Sequence, residues 1–271
     1  MTTTFRFAVS SAASLLFATA AAVAPDARAA DDVIAPAPGM VGLSPEGSRS
    51  PWGIGLGVGA QRQPYAGIGT ETRVVPLILY ENRYVRLRGL GADLKLPTPG
   101  PVSLALRVRY APDGYDGSDA PVLNGMADRK AAVLLGGAAA WRSGFGVLSA
   151  EVAGDVSGHS KGQQVRLGFD KPIRLGAFMV TPRVAAVWLD RRTVDYYYGV
   201  RAAEALPGRP QYDGSSTTNA ELGLRTDYAI TRNHLVTLDA GMTFLGRAIK
   251  DSPLVDRTTQ TGIRLGYIYL F

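Results

Sequence analysis

Cysteine is absent from the 271 residues, and histidine occurs only at His159 and His234. The first absence excludes a disulfide framework, a thiolate zinc site and a cysteine nucleophile. The second leaves two distant imidazoles, too few for a metal centre. Charge is sparse as well, at 19% against 46% hydrophobic residues. Past the N-terminus there is no run of 18 or more apolar residues, so no membrane helix is available. Sustained 3.6-residue periodicity is almost missing, while glycine is abundant at 32 residues, which points to strands and turns. No glycine-rich loop links a strand to a helix, which excludes a nucleotide cradle. The net charge of +6 comes from bases dispersed singly, not gathered with aromatics as nucleic-acid binding requires. For an exported chain, anionic lipopolysaccharide or murein is the more natural counterpart. Neither a cofactor nor a metal is expected.

The N-terminus reads as a secretory signal: Arg6, an uncharged small and apolar run from Phe7 to Val23, then Ala27-Arg28-Ala29 as an A-x-A cleavage site. The expected division is residues 1–29 as signal peptide, 30–50 as a flexible Pro-rich periplasmic segment, and 51–271 as the folded body.

That body carries a dyad code. Val102, Leu104, Leu106, Val108 and Tyr110 alternate with Ser103, Ala105, Arg107 and Arg109. Val165, Leu167 and Phe169 oppose Gln164, Arg166, Gly168 and Asp170; Val236, Leu238, Ala240, Met242 and Phe244 oppose Thr237, Asp239, Gly241 and Thr243. The last strand sets Ile263, Leu265, Tyr267, Tyr269 and Phe271 against Gly262, Arg264 and Gly266. Alternation alone fits a soluble sandwich or a barrel turned inside out, with lipid on its apolar face. The signal peptide, the closing Phe271 and strands of about 9–11 residues favour the barrel. So does the alternation of short links (143–145, 174–176, 231–233) with long ones (111–129, 191–218, 247–258). The predicted fold is an all-β transmembrane antiparallel β-barrel of about 12 strands. Ten segments are clear, and two short strands in 83–96 complete the count; ten remains the alternative.

Four motifs then carry a resemblance: Leu123-Asn124-Gly125-Met126-Ala127-Asp128-Arg129 after Asp116; Asp155 ahead of a turn ending Lys161-Gly162; Asp195-Tyr196-Tyr197-Tyr198-Gly199-Val200; and Asp251-Ser252-Pro253-Leu254-Val255 before the closing strand. In this order they resemble the MipA/OmpV family of outer-membrane proteins over most of the mature chain. The resemblance implies an outer-membrane barrel in a Gram-negative bacterium. It also implies a scaffold joining a lytic transglycosylase to a penicillin-binding protein, and it supplies no catalytic residue. Outer-membrane lipid and the assembly machinery are the other expected partners, with Tyr267, Tyr269 and Phe271 as the assembly signal.

Inward-facing charges are expected at Arg86, Arg88, Asp93, Lys95, Arg107, Arg109, Glu151, Asp155, Arg166, Asp170, Arg183, Glu221, Arg225, Asp227, Asp239 and Arg264. Bases and acids nearly balance, which fits ion-pair ladders filling a lumen as well as a narrow pore. A Ser157/His159/Ser160 set beside Glu151 and Asp155 has the residue types of a hydrolase but the spacing of an ordinary turn. No enzyme is expected. Tyr196, Tyr197, Tyr198 and Tyr212 are candidate outer-loop contacts that either bind a partner or fold over the mouth. A narrow channel and an adhesin acting through these loops are the alternatives to the scaffold.

Overall fold

The computed structural model describes residues 52–271. The expected signal peptide and the 30–50 segment lie outside the described residues. Among those described, thirteen strand segments form one antiparallel sheet: β1 (Trp52–Arg62), β2 (Thr70–Glu81), β3 (Val85–Arg88), β4 (Gly91–Leu96), β5 (Val102–Ala111), β6 (Ala132–Ser143), β7 (Gly146–Asp155), β8 (Gln163–Asp170), β9 (Ile173–Leu175), β10 (Phe178–Leu189), β11 (Thr217–Ala229), β12 (His234–Phe244) and β13 (Thr259–Leu270). Apart from β8 and β9, consecutive strands pair with each other, and β13 pairs with β1 from Leu270↔Gly53 to Gly262↔Gln61, closing a barrel. β8 and β9 both pair with β10 and are two halves of one wall strand, so the wall has twelve strands. The break at Lys171-Pro172 lies opposite Pro182, which has no N–H to give to a ladder. The region 83–96 holds two short strands, as its interrupted pattern predicted.

The dyad code becomes an inside and an outside. Ile54, Leu56 and Val58 of β1 face out, and so do Leu104, Leu106 and Val108 of β5 and Ile263 and Leu265 of β13. In water such a surface would cost about 25 cal/mol per Å² of apolar area; against lipid it costs nothing. Trp52, Tyr80, Phe178, Tyr228, Tyr267, Tyr269 and Phe271 gather at the end with the short turns, where Trp52 meets Tyr80 at 4.4 Å and Phe178 stacks on Tyr228 at 4.7 Å. Amphipathic and aromatic rings at this level form an interfacial girdle. Short turns and β1's first residue mark this end as periplasmic, and the long loops mark the other as outer.

Glycines on the inner face leave room for long side chains in a narrow barrel. A Cβ on Gly223 would overlap the Arg183 guanidinium, and one on Gly266 would meet Thr237 at 2.8 Å and Leu77 at 3.0 Å.

One strand breaks the pattern of complete pairing. β2 pairs with β1 from Thr70 to Tyr80, yet with β3 only through Leu79, Tyr80 and Glu81. The β3–β4 hairpin turns at Gly89-Leu90, beside Ile78, and leaves the outer part of that β2 edge without a neighbouring strand among the described residues.

Candidate functional site: a filled barrel under a loop lid

The inward charges come from every second residue of the strands, so they meet as layers inside the wall. In one layer Arg107 of β5 reaches both ways. Its Nε and Nη2 donate to Asp93 of β4 at 2.8 and 3.1 Å, and its Nη1 donates to Glu151 of β7 at 2.6 Å. Arg109 donates to the other oxygen of Glu151 at 3.0 Å. Below it, Glu81 gathers Arg86 (2.7 Å), Arg88 (2.8 Å) and Lys95 (2.8 Å). Across the barrel, Arg183 pairs with Asp239 at 2.7 Å, Arg225 with Asp227 at 2.6 Å, and Arg166 with Glu221. Asp170 is buried in register with Arg183, and Arg264 lies along the wall over Gly59. Asp155 differs from the other expected inward charges. Its oxygens accept the backbone N–H groups of Ser157, Ser160 and Lys161 and both serine hydroxyls, so it fixes the outer turn after β7 and joins no ladder. Two inward carboxylates were not expected from the sequence, Glu81 and, nearer the mouth on the same row of β2, Glu71, which accepts from Arg73 at 2.9 Å; Val75, Leu77 and Leu79 between them are apolar and break the charge pattern.

Charges lining a wet pore keep solvent contact. Here Arg86, Arg107 and Glu151 are only 2%, 4% and 4% exposed. Packed guanidinium–carboxylate ladders thus fill the middle of the lumen. Beneath them Leu77, Leu235, Ile268 and Leu270 pack together inside the periplasmic end, with Val75 and Leu79 against them.

The outer mouth carries a lid built from four loops. Tyr65, Ile68, Tyr115, Leu123, Met126, Val194, Tyr197, Tyr198, Leu245, Ile249 and Leu254 form its apolar core. Within the longest loop, helix α1 (Arg191–Tyr198) is capped by Asp190, whose side chain accepts from Thr193 N at 2.8 Å. Val194, Tyr197 and Tyr198 fall on its inner face at i, i+3, i+4 spacing. A second, four-residue helix, α2 (Arg247–Lys250), buries Ala248 and Ile249. At the centre Arg129 is 1% exposed; it donates to Tyr196 O at 2.6 Å, to Ala127 O at 2.9 Å and to both oxygens of Glu204 at 2.9 and 3.1 Å. Burial pushes the Glu204 carboxyl up, but hydrogen bonds from Arg129 and from the Arg201 and Ala127 N–H groups outweigh it and hold the pKa below the usual range. Burial raises the phenols of Tyr65, Tyr197 and Tyr198, and that of Tyr115 to about 12.

Of the four tyrosines offered as outer-loop contacts, Tyr197 and Tyr198 point into the lid, and Tyr196 and Tyr212 are half-buried against it. Tyr197 and Tyr198 are 5% and 6% exposed, Tyr196 takes part in a hydrogen bond from Lys130 N, and Tyr212 donates to Ala248 O at 2.7 Å. The helix turns two of them into the lid, where a partner has no access to them. The hydrolase-like set sits in a turn: His159 Nδ1 lies 2.7 Å from Ala131 O and 3.2 Å from the Ser157 hydroxyl, and the hydroxyls of Ser157 and Ser160 both donate to Asp155. Among the described residues no group of three or more His, Asp or Glu is placed to hold a metal. Tyr267, Tyr269 and Phe271 all face outward on or just beyond β13, the strand that closes the barrel.

A closed twelve-strand barrel with an apolar outer belt, a charged interior and short turns at one end is an outer-membrane β-barrel protein. Comparison with known sequences narrows the class: the profile described as MltA-interacting protein MipA matches residues 54–271, and the chain belongs to that family. The MltA-interacting protein of Escherichia coli (strain K12) is 28% identical over 221 residues, covering 80% of this chain and 89% of that protein. OmpV, an outer membrane protein of Vibrio cholerae serotype O1, is 30% identical over 146 residues, 54% of this chain and 57% of that one. Among solved structures, the COG4313 outer membrane channel of Pseudomonas putida F1 overlaps 92% of this chain and all of its own, with a TM-score of 0.43 and 13% identity. The protein is located in the outer membrane, and the names of these relatives describe membrane or interacting proteins and no enzyme.

Proposed function

We propose that this protein is a non-enzymatic scaffold that holds murein-remodelling enzymes, a lytic transglycosylase and a penicillin-binding protein, at the inner face of the outer membrane. The observation that carries the reading is the filled axis. With ladders in the middle, an apolar layer below and a lid above, little is left for a permeating solute, and the exposed work surfaces are the turns. The periplasmic turns and the strand ends beside them present Arg83, Arg174 and Arg232 with the exposed Tyr84, Phe145, Leu175 and Ile230, and the turns themselves carry no acid among the described residues. Such a mixed basic and apolar rim suits a protein partner with an acidic contact face. The name of the Escherichia coli relative supports the lytic transglycosylase as one such partner.

The test is capture of purified lytic transglycosylase by the refolded barrel. Charge reversal at Arg83, Arg174 and Arg232 together should abolish capture while the barrel keeps its heat-modifiable migration. Undiminished capture by the triple variant would remove the periplasmic rim from the function.

A further inference from the structure

Among the described residues, the outer part of the β2 edge has no strand beside it, an unusual arrangement for a membrane protein. Ile78 accepts from Gly89 N at 3.1 Å, so the even-numbered residues of β2 aim their peptide groups at the β3 side. Thr70, Thr72, Val74 and Pro76 continue that row beyond the hairpin tip, where β3 no longer runs. Val74 also belongs to the apolar belt: it is 70% exposed, and it lies in register with Val58 and, through it, Leu265 and Leu238. Free backbone donors and acceptors facing hydrocarbon cost several kcal/mol each, so a partner or water must meet them.

The edge is graded. At its outer end stand the exposed Thr70 and Thr72, and beside Thr70 in register is the exposed, outward-facing Arg62. At its deep end stand Val74, Pro76, Ile78 and the hairpin-tip Leu90, all exposed and apolar. A cation and hydroxyls above, free peptide groups about 6.6 Å apart in the middle and an apolar floor below match a molecule with an anionic head, polar linkages near it and tails pointing inward. An added protein strand fits less well, because Pro76 has no N–H and interrupts the row an incoming strand would read.

We propose that this seam between β2 and the β3–β4 hairpin is a binding site for lipid A, the anionic, multiply acylated anchor of lipopolysaccharide. Arg62 meets a phosphate, the Thr70–Val74 edge meets the amide, ester and hydroxyl groups of the acyl linkages, and one acyl chain lies against Val74, Pro76 and Leu90. The inference rests on the outer-membrane location and is independent of the scaffold reading.

Native mass spectrometry of the full barrel in detergent, titrated with lipid A and separately with phosphatidylglycerol, tests it. At least a tenfold preference for lipid A is expected. Arg62→Glu and Val74→Trp should each reduce lipid A retention about tenfold, and Leu224→Trp on the far side of the belt should leave it unchanged; heat-modifiable migration checks the fold of each. Equal retention of the two lipids, or variants that hold lipid A as well as the parent, would overturn the site. So would disulfide-linked dimers of Val74→Cys, which would place a second copy on the edge; the parent chain has no cysteine to confuse that result.

Discussion

Removing Arg129 should open the lid and spare the barrel. Its guanidinium joins the Tyr196 carbonyl of helix α1, the Ala127 carbonyl of the β5–β6 loop and the Glu204 carboxylate. Arg129→Ala strands all three away from bulk water. Breaking a buried ion pair from one side costs about 3–5 kcal/mol. Glu204 retains the N–H groups of Ala127 (3.1 Å) and Arg201 (3.0 Å), which places the loss at the lower end. About 3 kcal/mol is somewhat over a hundredfold in the opening equilibrium. Amide hydrogen exchange reads it directly: protection across Val194–Val200 should fall by that factor, while the β11–β12 ladder exchanges as before. If the lid amides keep their protection, or the ladder loses its own in step, Arg129 does not hold an independent lid. Acid should mimic the variant. The folded-state pKa of Glu204 lies below its unfolded value of about 4.3, so its contribution is present above that value and lost as pH falls through the folded pKa. Exchange in the lid should therefore accelerate below pH about 4.

Other consequences follow from the same geometry. Arg107→Ala leaves Asp93 and Glu151 facing each other without their shared cation and should lower the thermal midpoint of the refolded barrel by the equivalent of about 3 kcal/mol or more, with Arg107→Lys intermediate. Gly266→Val drives a branched side chain into Thr237 and Leu77 and should cost about 1–3 kcal/mol, read as an earlier loss of heat-modifiable migration. Tyrosinate absorbance should show a group of phenols titrating late: Tyr115 rises to about 12, so lid stability is full below pH about 10 and declines as pH climbs through that value. Planar bilayers containing the parent protein should be silent, and regular open steps from verified folded protein would show that the ladders are wet.

The wall was legible in the sequence because its rule is local. A strand facing lipid on one side repeats every two residues, so Leu104, Leu106 and Val108 against Ser103, Ala105 and Arg107 reveal both faces without knowledge of any neighbour. The split of 83–96 into two strands was equally visible at Gly89-Leu90-Gly91. Which inward charges pair was not: Arg107 and Glu151 stand 44 residues apart, and their meeting depends on the register of β5, β6 and β7. The lid was hidden for the same reason. Helix α1 leaves a trace in Asp190, Thr193 and the Val194, Tyr197, Tyr198 spacing, but eight tyrosine-rich residues are too short to stand out and do not hold a helix alone. Its burial needs Tyr65, 132 residues away, whose hydroxyl donates to Tyr197 O. Sequence periodicity determined strands with two unlike faces, and the leader-like N-terminus, the closing Phe271 and the lengths of strands and links turned those strands into a barrel. Only the tertiary structure decided that the interior is filled, that Tyr197 and Tyr198 look inward and that β2 keeps an open edge among the described residues, because each depends on which distant residues the closed wall brings within reach.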